Sequence, residues 1–248
     1  MRISVITATY NCSKTIALCL QSIQNQKIDI EHLCIDGNST DGTLDILVKQ
    51  KKTNIKIISE PDKGIYDALN KGIKIASGDI IGILHADDEF YNDDTISKIS
   101  NSFKETDADV IYGDLVYTSV HNTSKIIRYW KSRVFNKYLL KKGWMPPHPT
   151  VFMKKEVYHR HGLFDLNYKI AADYDYMLRV FSDPDLKITY LPIVITRMRM
   201  GGSSNKNLKN ILRKSHEDYE VIKKNNLPYP LWVLFLKNIS KVKQFFMK

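Results

Sequence analysis

Near its start the chain gathers apolar residues into short runs: ISVIT (3–7), HLCID (32–36), IKIIS (55–59) and IIGIL (80–84). Runs this short, rich in β-branched residues and bounded by polar turn residues, read as buried strands. Between them the spacing predicts helices over roughly 13–25, 41–51 and 65–77. Strand and helix in alternation specify βαβ units. The expected architecture is therefore α/β, a Rossmann-like, mostly parallel sheet with helices on both faces. Ligands of such sheets lie beyond the carboxyl ends of the strands.

After residue 105 the pattern changes. DVIYGDLVYTSV (109–120) and KIIRYW (125–130) read as longer strands, paired antiparallel in a smaller sheet. WMPPHPTVF (144–152) is a proline-rich loop leading into a strand. Residues 170–181 carry helical spacing at Ile170, Tyr174, Met177, Leu178 and Phe181, and MRMGGSSN (198–205) reads as a loop. A charged helix is expected over 206–225, ended by Pro228 and Pro230. No repeat or low-complexity linker interrupts the chain. It divides into one compact domain over 1–205, with halves 1–105 and 106–205, and a basic helical tail over 206–248.

Composition narrows the class. The 248 residues are 43% hydrophobic and 26% charged, a globular balance. Net charge is +10, and residues 201–248 hold ten Lys/Arg against three acids, so +7 of it lies in the tail. Such a surface suits nucleic acid, anionic lipid or phosphorylated ligands. Cys12, Cys19 and Cys34 form no CxxC pair, and a reduced, cytoplasmic setting is the simplest expectation. MRISVITATYN lacks the features of a signal peptide, and no apolar run approaches the ~20 residues of a membrane span.

The predicted strand ends carry the chemistry. Strand one ends in Thr7, Ala8, Thr9, Tyr10; strand two ends in Asp36; the fourth ends at His85, Asp87, Asp88. Adjacent carboxylates repel unless a cation joins them. Oxygen ligands suit Mg²⁺ or Mn²⁺, which complete their shell with water and substrate phosphate. The alternative is that Asp87 and Asp88 cap the next turn. No GxGxxG follows strand one and no GxxxxGK[ST], GxSxG or HExxH occurs, which argues against a dinucleotide enzyme, a P-loop NTPase and the common hydrolases. DGNSTDG (36–42) lacks the Gly and Glu that a calcium loop needs.

Taken in order, ISVITATYN, IDGNSTDGT, EPDKGIYDALNKGIKIASGDIIGILHADD, PHPTVFMKKEVYHRHGLFD and IAADYDYMLRV resemble the family 2 inverting glycosyltransferases of the GT-A fold, over about residues 1–200. The likeness is strongest to bacterial enzymes of O-antigen, capsule and exopolysaccharide synthesis. It implies transfer of a hexose or N-acetylhexosamine from a UDP-sugar to a glycan hydroxyl, with Mn²⁺ or Mg²⁺ as cofactor. It also implies roles. Thr7, Thr9 and Tyr10 would border the base, with Tyr10 offering a ring face, and Asp36 would accept from the uracil imide. Asp87 would meet the ribose and Asp88 would hold the metal. Lys63, or the helix start after it, would approach phosphate, unless DKG is an ordinary turn and cap. Asp67 would join the donor pocket. Asp173 of ADYD would be the base that activates the acceptor, Asp175 lying about 200° farther round the helix. Ala172 stands where many relatives carry Glu. His148 would line the acceptor side, and Arg197 or Arg199 would reach phosphate, with Gly201 and Gly202 as hinges.

The tail repeats Trp232, Phe235, Ile239, Val242 and Phe246 at helical spacing, with Lys237, Lys241 and Lys248 off that stripe. Such a helix suits the inner face of the plasma membrane and a polyprenyl-diphosphate-linked acceptor. Packing on the core or a contact between copies would also bury the stripe, and a homo-oligomer stays open. Two other functions are compatible with parts of the sequence. A sugar-nucleotide nucleotidyltransferase would carry glycine and arginine after strand one, which TATYNCSKT lacks. A non-catalytic glycan or nucleic-acid binder would not need acids gathered on one rim, so nucleic acid is not expected as a partner.

Overall fold

The computed structural model describes residues 1–50, 54–119, 122–201 and 208–243. The first half follows the expected alternation: β1 (Ile3–Thr9), α1 (Ile16–Gln24), β2 (Ile30–Asp36), α2 (Thr43–Lys49), β3 (Ile55–Ser59), α3 (Ile65–Ile75) and β4 (Ile80–Ile83). Next come β5 (Glu89–Phe90), α4 (Thr95–Thr106), β6 (Val110–Thr118), β7 (Ile126–Trp130), β8 (Phe152–Lys154), α5 (Lys155–His161), α6 (Ala172–Phe181), β9 (Ile188–Arg199), α7 (Leu208–Lys224) and α8 (Pro230–Lys243). Two 3-10 turns, Lys137–Lys142 and His148–Thr150, lie between β7 and β8.

The strands form one curled sheet in the order β3-β2-β1-β4-β8-β6-β9-β5, with β7 on the free side of β6. The N-terminal set, β3-β2-β1-β4, is parallel throughout. β8 pairs antiparallel with both β4 and β6, and β7 pairs antiparallel with β6, so the antiparallel strands continue the parallel set. β9 was not foreseen. It runs parallel to β6 and takes up Met198 and Arg199, which were expected in a loop.

Alternation along the central strands fills both faces. Val5, Ile80 and Ile111 point to the layer of α1, α2 and α4, while Ile6, Ile81 and Val110 point to the layer of α3, α5 and α6. Fully burying each such side chain contributes about 1.5–3 kcal/mol. Parallel register sets Thr9 beside Asp36, so β1 and β2 end at the same rim. A two-way amide bond ties the halves together. Asn70 Nδ2 of α3 donates to the Phe164 carbonyl at 2.9 Å, and the Phe164 amide returns a bond to Asn70 Oδ1 at 3.0 Å.

The last two helices are not a free tail. Val221, Ile222 and Val233 are buried in the core. Gly143 marks the seam, because a Cβ there would stand 2.5 Å from the Val233 carbonyl oxygen and 2.8 Å from Lys237 Cβ.

Candidate active site

A cleft of about 2740 Å³ runs along the carboxyl ends of β1, β2 and β4 and on past α6 to α7 and α8. At its nucleotide end, Tyr10 turns a 65% exposed ring to solvent. The ring lies beside Gly37, where a Cβ would approach Tyr10 Cδ2 to 3.3 Å and Asp62 Oδ2 to 2.4 Å. A bare Cα therefore floors a slot between an aromatic ring and a carboxylate. Asp62 holds the turn before α3 by accepting from the Gly64 amide at 2.8 Å. The sequence reading had passed over Asp62.

Other expected nucleotide contacts are committed elsewhere. Thr7 is buried two residues below the rim, and its hydroxyl pairs with His32 Nε2 at 3.0 Å instead of facing the cleft. Thr9 lines the cleft but spends its hydroxyl on Asp36 Oδ1 at 3.1 Å. Asp36 is fully buried and accepts four bonds, from Thr9, the Ser39 amide (3.0 Å), the Ser39 hydroxyl (2.6 Å) and the Ser59 hydroxyl (2.7 Å). Those donors fill its lone pairs. In this arrangement Asp36 braces the rim loop and leaves no acceptor for a base. Burial alone would raise its carboxyl, but the bonds from Ser39, Ser59 and Thr9 outweigh that and hold it below its ordinary value.

Lys63 and Asp67 belong to the start of α3. The Lys63 amide donates to Asp67 Oδ2 at 3.0 Å, a reach back from the first turn like that of a capping box. Asp67 also stands 3.8 Å from Lys71 Nζ, and neither residue lines the cleft. The local alternative, turn and cap, describes this geometry.

His85, Asp87, His148 and Asp173 converge at the centre. The His85 and His148 rings lie 6.2 Å apart, and His148 sits edge-on to Phe164. Burial lowers His85 while the Asp87 and Asp173 carboxylates pull the other way, which places both acids close to this ring. Its buried Nδ1 has no hydrogen-bond partner. Burial also lowers His148, to about 4. Both imidazoles are thus neutral at pH 7.

The two adjacent aspartates separate. Asp87 is half-buried and lines the cleft, with no hydrogen bond or ion pair to another side chain among the described residues. Asp88 is fully buried behind the cleft, and neither of its oxygens has a hydrogen-bond partner. Burial, reinforced by Asp87 and opposed by Arg199, pushes its carboxyl well above the usual range. Asp88, the expected metal ligand, does not line the cleft. Successive residues here face opposite ways, and the one that reaches the ligand space is Asp87.

Asp173 lies in the first turn of α6 and faces the cleft. Its Oδ1 accepts from the Tyr174 amide at 2.8 Å and lies 3.3 Å from the Tyr66 hydroxyl. Glu217 of α7 caps this helix from outside, accepting from the amides of Lys169 (3.3 Å), Ile170 (2.8 Å) and Ala171 (2.9 Å). Asp175 turns away and is buried against Arg179 (3.0 Å) and Lys224 (3.2 Å). Arg199 reaches the cleft but is paired with Glu89 at 3.2 Å, and Arg197 lies over the Tyr91 ring outside the cleft lining. Gly201 takes a left-handed φ of 104°; Gly202 falls outside the described residues.

Lys237 overturns its expected place on a solvent or lipid face. Its Nζ is buried 2.7 Å from Asp218 Oδ1 and 3.3 Å above the Tyr174 ring. Trp232, Phe235 and Ile239 do turn outward, at 57%, 51% and 45% exposure. The side chains of Lys241, Val242, Phe246 and Lys248 lie outside the described residues.

Comparison with known proteins fits this geometry. The family model described as glycosyl transferase family 2 matches residues 4–162. A PGL/p-HBAD biosynthesis glycosyltransferase of Mycobacterium bovis (strain BCG / Pasteur 1173P2) is 31% identical over 208 residues, 82% of this chain and 78% of that protein. A poly(ribitol-phosphate) beta-glucosyltransferase of Bacillus spizizenii is 30% identical over 77% of this chain, but only 34% of its own length. Among solved structures, S. aureus TarS 1–349 in complex with UDP-GlcNAc superposes with a TM-score of 0.70 at 20% identity, covering 91% of this chain and 65% of that one. That likeness establishes the GT-A fold.

Proposed function

The chain belongs to glycosyl transferase family 2, and from that membership we propose an inverting, metal-dependent transfer of a hexose or N-acetylhexosamine from a UDP-sugar to a hydroxyl of a lipid-linked glycan. The observation that carries this reading is the meeting of Asp87 and Asp173 around His85 at the cleft centre. One acid serves the departing diphosphate and the other the incoming hydroxyl.

The Tyr10 ring beside Gly37 offers a face for uracil, and Asp62 supplies the acceptor at its edge. The UDP-GlcNAc complex of the solved relative supports a UDP donor. Asp87 is the side chain that would hold Mn²⁺ or Mg²⁺. No group of three or more His, Cys, Asp or Glu that could hold a metal occurs among the described residues. One carboxylate oxygen set fits an ion that takes its other ligands from diphosphate and water. When bound, such an ion withdraws charge from the leaving UDP.

The acceptor hydroxyl attacks the anomeric carbon from the face opposite UDP. As the new C–O bond forms and the bond to the UDP oxygen breaks, Asp173 takes the hydroxyl proton. A β linkage results from an α-linked donor. Glu217 and Tyr66 hold Asp173 in place from two other elements. Neutral His148 and His85 flank the transferred sugar as hydrogen-bonding groups.

Bacterial surface polysaccharide synthesis, of the O-antigen or capsule kind, is the setting this chemistry suits. There the acceptor is linked to polyprenyl diphosphate at the cytoplasmic leaflet. The outward stripe of Trp232, Phe235 and Ile239 supports a peripheral position on that surface. No helix among the described residues is long and apolar enough to cross a membrane.

A UDP-sugar panel assayed for Mn²⁺-dependent hydrolysis, then for transfer to a short-chain diphospho-lipid GlcNAc or GalNAc, tests the reading. One UDP-sugar should be turned over, and D173N should abolish transfer while UDP binding persists. UDP binding that ignores both Mn²⁺ and Asp87 would overturn it.

A further inference from the structure

We propose that the far arm of the cleft is a second anion site, which holds the phosphate of the acceptor's carrier, with α8 taking the adjoining hydrocarbon. The proposal rests on the glycosyl-transfer reading and adds where, and by which residues, the carrier is recognised.

The space admits a second occupant. Pockets for single small ligands measure about 300–1,000 Å³, whereas this cleft measures about 2740 Å³. Its lining includes Arg133, then Lys141 and Lys142 of the 3-10 turn that ends at Gly143 against α8, and Arg213 and Lys214 of α7. None of these five forms an ion pair among the described residues; Lys142 only lies 4.8 Å from the Tyr138 ring. The carboxylate of that arm, Asp218, is already matched by Lys237 at 2.7 Å. Like charges gathered along one cleft repel, and an anion bound among them relieves that repulsion. The donor diphosphate would lie with Asp87 and the slot beside Tyr10, just past the ends of β4 and β1, whereas these cations belong to other elements.

The arm then changes character. Trp232, Leu236 and Ile239 of α8 continue the lining, and Trp232 and Ile239 remain about half exposed. A cationic stretch that passes into an aromatic and aliphatic strip matches an amphiphile with phosphate at one end and hydrocarbon at the other. Lys237 and Tyr174 line the passage between this stretch and Asp173, where the acceptor sugar would lie.

The test uses farnesyl diphosphate as the probe, titrated by calorimetry into the full chain saturated with UDP and Mg²⁺. Phosphatidylglycerol vesicles are co-sedimented in parallel. The wild type should bind farnesyl diphosphate alongside UDP. K141E+K142E and R213E+K214E should each weaken that binding at least tenfold, with UDP affinity within about twofold of wild type. W232A should weaken farnesyl diphosphate but leave inorganic pyrophosphate unchanged. Competition between farnesyl diphosphate and UDP would overturn the proposal, as would charge reversals without effect. If the reversals abolish vesicle binding but spare farnesyl diphosphate, the cations serve membrane headgroups and the proposal fails. Failure of the wild type to bind UDP would count instead against the glycosyl-transfer reading.

Discussion

The Tyr66 hydroxyl donates to the Ile170 carbonyl at 2.7 Å and lies 3.3 Å from Asp173 Oδ1. A residue of α3, in the N-terminal half, thereby helps aim a carboxylate on α6. Removing one such hydrogen bond costs about 0.5–1.5 kcal/mol. Y66F is expected to slow transfer roughly two- to tenfold and to leave UDP affinity unchanged. D173N should cost about 10²–10⁴-fold in the same assay, the usual share of a general base. Equal losses in the two variants would mean that Tyr66 acts on folding rather than on the carboxylate.

Asp87 and Asp88 should separate cleanly under substitution. D87N is expected to erase the gain in UDP affinity that Mn²⁺ confers. D88N should keep that gain, because a buried carboxyl held well above the usual range is nearly isosteric with the amide. Calorimetry with UDP, with and without Mn²⁺, reads both variants. The reverse pattern would restore the metal to Asp88.

Asp36 ties stability to pH. Its folded-state carboxyl lies below the ordinary 3.8. Its contribution is therefore fully present above 3.8 and is lost as pH falls through the lower folded value. D36N sets an amide N–H₂ against the Ser39 and Ser59 donors, a cost of about 1–3 kcal/mol. Urea midpoints of wild type and D36N should differ most near neutral pH and converge below 3.8. A gap that stays constant through the acid range would remove Asp36 from this role.

Lys237 should prove structural before it proves anything else. Asp218 is only 3% exposed, and K237M would leave it buried and unpaired. Breaking such a pair from one side costs about 3–5 kcal/mol. Replacing both partners, in K237M+D218L, should recover most of that loss. Chemical denaturation of the single and double variants decides, and a mild single variant would show the pair to be solvated.

The parallel half of the fold was legible because each strand there is a short, mainly apolar stretch bounded by polar turn residues, and β1 to β4 fall where the pattern placed them. β9 was hidden. Its residues, ITYLPIVITRMR, are mostly half-buried and carry a proline, so neither a run nor an alternation stands out. In the site, Asp173 and Asp87 sit where the motifs led, in the cleft. Asp36, Asp67 and Thr7 sit at the expected strand and helix ends but are absorbed by neighbours. Residue type at a rim does not tell which hydroxyls will reach a carboxylate first. Asp62 was missed because only the packing over Gly37 distinguishes it. On α8 the aromatic stripe was visible, while the inward face of Val233 and Lys237 was masked by a charged residue at a core position.

The seam at Gly143 has a practical corollary. A chain cut after Asn226 would lose Val233 from the core and Lys237 from beside Asp218, so trimming would injure the catalytic floor along with any adhesive outer surface. One helix thus carries both a buried face and an exposed aromatic one, and only point changes on the outward side can separate what each does.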